Sequence, residues 1–160
     1  MEKTQTMDKS DNAKVRIPPP LCFGVFLIGG ILLQSSWMEG EWGPLYASIT
    51  GGVLFIASLI VVIIEALRHE RSGSNVEPWK PTTLILSSGA YAYSRNPIYV
   101  GMIVAYLGVA FAASSLVAVA LLPLAILIIR YYVIAREEAY LIRKFGDEYL
   151  DYMKKVRRWI

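Results

Sequence analysis

Cysteine and histidine are nearly absent from this 160-residue chain, with Cys22 and His69 each alone of their kind. One cysteine forms no intrachain disulfide, so a disulfide-stapled secreted fold is excluded, and Cys22, set in an apolar run, reads as an inert small hydrophobe. A lone histidine outside the apolar runs excludes paired-histidine haem ligation in a monomer. Charge is scarce as well. Charged residues make up 18% and hydrophobic residues 55% of the chain, against about 25% and 45–50% in an average soluble domain. Ionic residues are missing altogether from 18–37, 44–64 and 98–129. Extended disorder is thereby excluded for the chain as a whole, and an apolar surplus gathered into runs points to a membrane.

A hydrocarbon core about 30 Å thick takes about 20 helical residues to cross. Residues 18–37 and 45–66 each fit one span. The third apolar region, 98–135, would measure roughly 57 Å as one straight helix, too long for a single tilted span. It is expected to be a helical hairpin turning at Ala112-Ala113-Ser114-Ser115, with spans at 98–113 and 116–135 and a bend at Pro123. The expected fold class is therefore all-α: a polytopic membrane protein of four transmembrane helices. Residues 1–16, polar and of mixed charge, are expected to be a disordered tail, and 17–160 a single membrane domain with a signal-anchor first span.

The cations set the orientation, because cytoplasmic flanks carry the excess of Lys and Arg. They fall in the tail (Lys3, Lys9, Lys14, Arg16), in the segment 67–97 (Arg68, Arg71, Lys80, Arg95) and in 130–158, whereas 38–43 holds only Glu39 and Glu41. Both termini are expected on the cytoplasmic side, at the inner membrane of a prokaryote or the endoplasmic reticulum of a eukaryote. Trp37, Trp42 and Tyr46 would mark the outer interface, and Trp79, Tyr91 and Tyr93 the inner one.

Two constellations on the expected cytoplasmic side carry chemistry. The first is Arg95-Asn96-Pro97-x-Tyr99-x-Gly101. Pro97 suits the first turn of the third span, Asn96 can cap it, and the exposed N–H groups with Arg95 form a potential anion site. The second is Glu137-Glu138-x-x-Leu141-x-x-x-Phe145-Gly146-x-x-Tyr149-x-x-Tyr152, followed by Val156-x-Arg158-Trp159. If the fourth span continues as an uninterrupted helix, Tyr131, Ala135, Glu138 and Ile142 share one face. Gly146 is the expected stop, and Asp147 the cap of a last amphipathic helix with Tyr149, Tyr152, Met153 and Val156 on its apolar side. Each motif alone has a bland reading, an interfacial arginine anchor for the first and a solvated charge run for the second.

Taken together, with about 35 apolar residues between them, the two motifs resemble the isoprenylcysteine carboxyl methyltransferase and phospholipid methyltransferase family of integral-membrane enzymes, over about residues 82–159. Where the carboxyl methyltransferase branch usually has His after the arginine, this chain has Asn96, as in much of the phospholipid methyltransferase branch. The resemblance implies S-adenosylmethionine as cofactor, in a pocket at the cytoplasmic membrane face built from the Arg-x-Pro-x-Tyr turn and the Glu-Glu motif and capped by the C-terminal segment 136–160. Tyr91, Arg95, Asn96, Pro97, Tyr99, Glu137 and Glu138 would bind the cofactor, and Arg95, Glu138 and Arg158 would serve catalysis. In chemical terms, Glu137 or Glu138 suits the cofactor's ammonium, Arg95 or the helix N-terminus its carboxylate, and Tyr91 or Tyr99 its adenine or sulfonium. Arg157 and Arg158 suit an anionic substrate group or a membrane surface. Gly51-Gly52 suits close helix packing.

The expected partners are membrane lipids or a hydrophobic small-molecule acceptor, with carboxyl, thiol, amine and hydroxyl all open. No metal and no nucleic acid is called for. A transporter would carry ionisable groups in mid-membrane, and only Glu65 and Arg130, near span ends, come close. A magnesium-dependent phosphotransferase would want more clustered carboxylates than Glu137-Glu138. The competing reading from another class is a non-catalytic membrane scaffold that retains the fold.

Overall fold

The computed structural model describes residues 11–37, 45–75 and 77–160. Among them there is no strand, and six α-helices carry the fold: α1 (Pro19–Trp37), α2 (Leu45–Arg71), α3 (Pro97–Ala112), α4 (Leu116–Ile128), α5 (Ala135–Phe145) and α6 (Asp147–Lys155). A single turn of 3-10 helix at Gly89–Ala92 precedes α3, and π-helical turns at Ile129–Ile134 join α4 to α5. The predicted loop 38–43, with Trp42, lies outside the described residues.

Among the described residues, three helices are long and apolar enough to cross a membrane: Pro19–Ser36, Leu45–Arg71 and the continuous Leu116–Phe145. Alternating faces do not explain them. Only 11% of the most apolar window of α2 is buried, and Val53, Ile56, Ile60, Ile63 and Ile64 all point outward. In water such a surface would drive aggregation, and against hydrocarbon it is the right solvent-facing surface. The chain therefore has the character of a multi-pass membrane protein. α3 is apolar as well but has 16 residues, a rise of about 24 Å.

With lipid as apolar as leucine, helix pairs associate through small residues that let backbones approach. The pair α2 and α3 closes at Gly51 and Gly108. A Cβ on Gly51 would sit 2.4 Å from the Gly108 carbonyl oxygen, and one on Gly108 2.6 Å from the Gly51 carbonyl oxygen. Gly52, its neighbour, faces open space, so of the predicted Gly51-Gly52 packing pair Gly51 alone does the packing. α1 lies against α4, where Gly30 meets the Ala118 backbone. Gln34 ties the same end of the bundle to the hairpin, its amide nitrogen donating to the Ser114 carbonyl and its oxygen accepting from Val117 N–H at 3.1 Å.

The hairpin turns where expected, between Ala112 and Leu116, with Ser115 capping α4 by accepting from Ala118 N–H at 3.1 Å. Pro123 stands inside α4, where it removes one backbone hydrogen bond. Gly146 ends α5 with φ of +56°, and α6 follows with its acids Asp147 and Glu148 in the first turn and Lys154 and Lys155 in the last, matching the helix dipole. Tyr149 and Tyr152 are its buried face.

Three expectations are corrected. α2 runs on to Arg71, so the segment predicted as a loop from residue 67 starts helical. Residues 11–16, predicted as disordered tail, pack as an irregular strap, with Ala13 and Val15 buried in the core. The strap is held by Ala13 N–H on the Pro78 carbonyl at 3.2 Å, Arg136 on the Lys14 carbonyl at 3.1 Å and an ion pair between Lys144 and Asp11. Finally, Tyr131, Ala135, Glu138 and Ile142 do not share a face: Glu138 is buried while the other three are exposed. The π-helical turns take more residues per turn than an α-helix and so shift the phase between α4 and α5.

Replacing Gly108 by Val is expected to destabilise the protein by about 1–3 kcal/mol or more through overpacking against a backbone that cannot yield, whereas Gly52→Ala is expected to be neutral. Thermal unfolding of the two variants in detergent measures the difference.

Candidate functional site

One carboxylate gathers the polar residues at this end of the bundle. The phase shift after the π-helical turns aims Glu138 of α5 inward, where its side chain is 10% exposed. Arg95 Nη2 donates to Glu138 Oε1 at 2.9 Å, and Arg158 closes a two-pronged contact, Nε to Oε1 at 2.9 Å and Nη2 to Oε2 at 2.6 Å. Such bidentate, charge-assisted pairs are the strong ones, and only well-bonded pairing makes a buried carboxylate tolerable. The other prong of Arg95 donates to the carbonyls of Met153 and Val156 at 3.1 and 3.2 Å. These lie at the C-terminal end of α6, where carbonyls lack helical partners and a cation is favoured.

The extended residues after α6 then dock on the turn before α3. Arg95 N–H donates to the Arg157 carbonyl at 2.9 Å and Asn96 Nδ2 to the Arg158 carbonyl at 2.8 Å. Asn96 occupies the cap position of α3 but makes no capping bond with its side chain, which is spent on the C-terminal segment. Pro97 begins the helix, as expected.

Glu137, one residue before Glu138, has a different environment. Its Oε1 accepts from the Tyr99 hydroxyl at 2.7 Å, and among the described residues no lysine or arginine forms an ion pair with it. It faces a cavity of about 200 Å³ whose walls also include Tyr91, Tyr99, Tyr140, Tyr149 and Tyr152. Burial first, and then the charges of Glu137 and Glu65, push the Tyr91 phenol well above its ordinary range. Burial pushes Tyr152 up to about 12, with Arg95 pulling the other way. Both therefore keep their protons and donate: the Tyr152 hydroxyl bonds the Tyr91 carbonyl at 2.7 Å, fixing α6 to the 3-10 turn. An acid in a water-poor aromatic chamber is suited to an organic cation.

Of the predicted site residues, Tyr91, Asn96, Tyr99, Glu137 and Glu138 line this cavity. Arg95, Arg158 and Pro97 do not. Arg95 gives Nη1 to the α6 carbonyls and Nη2 to Glu138, with its Nε buried and without a partner, and Arg158 gives Nε and Nη2 to Glu138. Sequence reading missed the strap residue Ala13, the segment Trp79–Leu86 as a wall and, most of all, His69. The signal for His69 was its spacing of four from Glu65 at the end of an apolar helix, which puts both on one face.

The described residues thus form a helical, multi-pass membrane protein with an acidic, tyrosine-lined cavity at one end of its bundle. The family model for phospholipid methyltransferases matches residues 46–148, more than half of the chain, and the chain belongs to that family. It is 40% identical over 73 residues to the protein-S-isoprenylcysteine O-methyltransferase of Schizosaccharomyces pombe, a match covering 46% of this chain and 31% of that protein. It is 63% identical over 35 residues, 22% of its length, to an uncharacterized protein of Haemophilus influenzae, of which the match covers 56%. The matches thus span from just under a third to somewhat over half of these relatives.

Neutralising Glu138 leaves the Arg95 guanidinium, 8% exposed, without its counter-ion. Glu138→Gln is therefore expected to cost about 3–5 kcal/mol, and Arg158→Ala, at the more exposed partner, clearly less; chemical denaturation in detergent ranks the two.

Proposed function

We propose that this protein transfers a methyl group from S-adenosylmethionine to a lipid-like or hydrophobic small-molecule acceptor, at the cytoplasmic face of a four-span membrane protein whose termini are both cytoplasmic. Support for the topology comes from the cations, which flank α1, α2 and α5 on one side, and from α3, which pairs with α4 across a tight hairpin and serves as the fourth, short span. α6, with its tyrosine face against the cavity and its charged face outward, serves as the cap.

The observation that carries the functional reading is Glu137, a buried-side carboxylate bonded to one phenol and paired with no cation, in a tyrosine-lined cavity. S-adenosylmethionine, when bound, supplies an electrophilic methyl on a sulfonium whose positive charge disappears during an in-line displacement. A site for it needs alignment and exclusion of water more than acid or metal. Glu137 takes the ligand's ammonium, Tyr91 and Tyr99 offer ring faces and hydroxyls to its adenine and sulfonium, and the first turn of α3 receives its carboxylate. Arg95, Glu138 and Arg158 act as positioning residues: they lock the C-terminal segment to α3 and α5 and so hold Glu137 and Tyr99 at their present separation. The apolar outer faces of α2 and α3 suit an acceptor arriving from the bilayer.

Glu137→Gln keeps the Tyr99 contact but removes the charge. It is expected to weaken binding of labelled S-adenosylmethionine by about 10- to 100-fold, the worth of a charged hydrogen bond, with the unfolding temperature unchanged. Absence of saturable binding by the folded wild type would reject the enzyme reading and leave the non-catalytic scaffold.

A further inference from the structure

His69 has no part in the arrangement above. It is 9% exposed, lines the cavity, and is the chain's single histidine. Its Nδ1 lies 2.9 Å from the backbone carbonyl of Glu65, one helical turn earlier. A carbonyl only accepts, so Nδ1 carries the proton, and in the neutral ring Nε2 is left with the lone pair. That nitrogen faces the Tyr91 hydroxyl at 3.5 Å, the outer limit of a hydrogen bond, so an acceptor group in the cavity can compete for it. Tyr91 stands edge-on against the imidazole, with ring centroids 5.2 Å apart.

On the same helix Glu65 is buried; its Oε1 is shared by Arg68 at 3.3 Å and Ala90 N–H at 3.4 Å, and its Oε2 has no partner. Glu137 lines the same cavity. A fixed tautomer, a loosely engaged lone pair and a place in the cavity wall are what a general base requires.

We infer that His69 Nε2 takes the proton given up by the methyl acceptor, and that the acceptor is accordingly a thiol, amine or hydroxyl rather than a carboxylate. This rests on the methyltransferase reading. The acceptor's lone pair forms the bond to the methyl carbon while the carbon–sulfur pair of the sulfonium donor returns to sulfur, leaving a neutral thioether. The acceptor's proton passes to Nε2, giving a neutral methylated product and an imidazolium that releases its proton to solvent. A carboxylate has no proton for Nε2 to take, and its charge would be repelled by Glu65 and Glu137.

Because the chain has one histidine, labelling with 15N-histidine gives a single imidazole by NMR. A protonated Nδ1 and a bare Nε2 are expected, and the opposite tautomer overturns the inference. With S-adenosylhomocysteine bound, adding dodecanethiol, dodecylamine or dodecanol is expected to shift Nε2 for at least one of them, and dodecanoate to leave it in place; a shift with dodecanoate alone is the contrary result. His69→Asn keeps an N–H for the Glu65 carbonyl but has no base. It is expected to lower kcat on the acceptor that shifts Nε2 by about 100-fold or more, with affinity for S-adenosylhomocysteine unchanged. If the variant turns over like the wild type while both bind S-adenosylhomocysteine, the role of His69 fails and the methyltransferase reading stands. If the wild type does not bind it, both fail.

Discussion

The pairing of Glu138 with Arg95 and Arg158 is the interaction on which this end of the molecule depends. It joins α5, the turn before α3 and the segment after α6, which are far apart in sequence, through a single carboxylate. Burying that carboxylate is tolerable only because both its oxygens are bonded to cations. The same pairing has a second consequence: with both arginines committed, the charge on Glu137 is left to one phenol, Tyr99. Two adjacent glutamates, both lining the cavity, thereby acquire different partners, two arginines for one and a phenol for the other.

What turns these glutamates inward is the π-helical stretch Ile129–Ile134. Along α4 the exposed apolar side chains, Leu124, Leu127 and Ile128 among them, lie outside the bundle, as lipid-facing residues must. Had the helix continued with 3.6 residues per turn, the phase of α5 would have been set by that outer face. The wider turns change the phase, so that Glu138 and Tyr140 become the buried side of α5. π-helical turns often occur at functional positions, and here the consequence is the orientation of the cavity wall.

Much of the architecture was legible because it is local. The apolar runs mark α1, α2 and α4 by length alone, Ala112–Ser115 reads as a turn, Pro97 as a helix start and Gly146 as a stop, and the tyrosine face of α6 follows from its spacing. The resemblance of the two motifs to the methyltransferase family, borne out by the match over residues 46–148, also lies in linear spacing. The strap at residues 11–16 was not legible, because nothing in a short polar segment reveals that the Pro78 carbonyl, Arg136 and Lys144 await it. His69 was read as lying outside the spans, because the apolar run stops before it and the helix does not.

The sequence by itself determined that the chain is helical, meant for a lipid environment, and equipped with an Arg-x-Pro-x-Tyr turn and a Glu-Glu pair, since helix length, hydropathy and motif spacing are properties of neighbours along the chain. Only the tertiary structure decided which glutamate is paired with cations, that Arg95 and Arg158 are not among the residues lining the cavity, and that His69 lines it with Nε2 held only loosely by the Tyr91 hydroxyl. Those outcomes turn on desolvation and hydrogen-bond direction: a buried charge takes whichever counter-ion the fold brings to it, and an imidazole takes its tautomer from the carbonyl it meets.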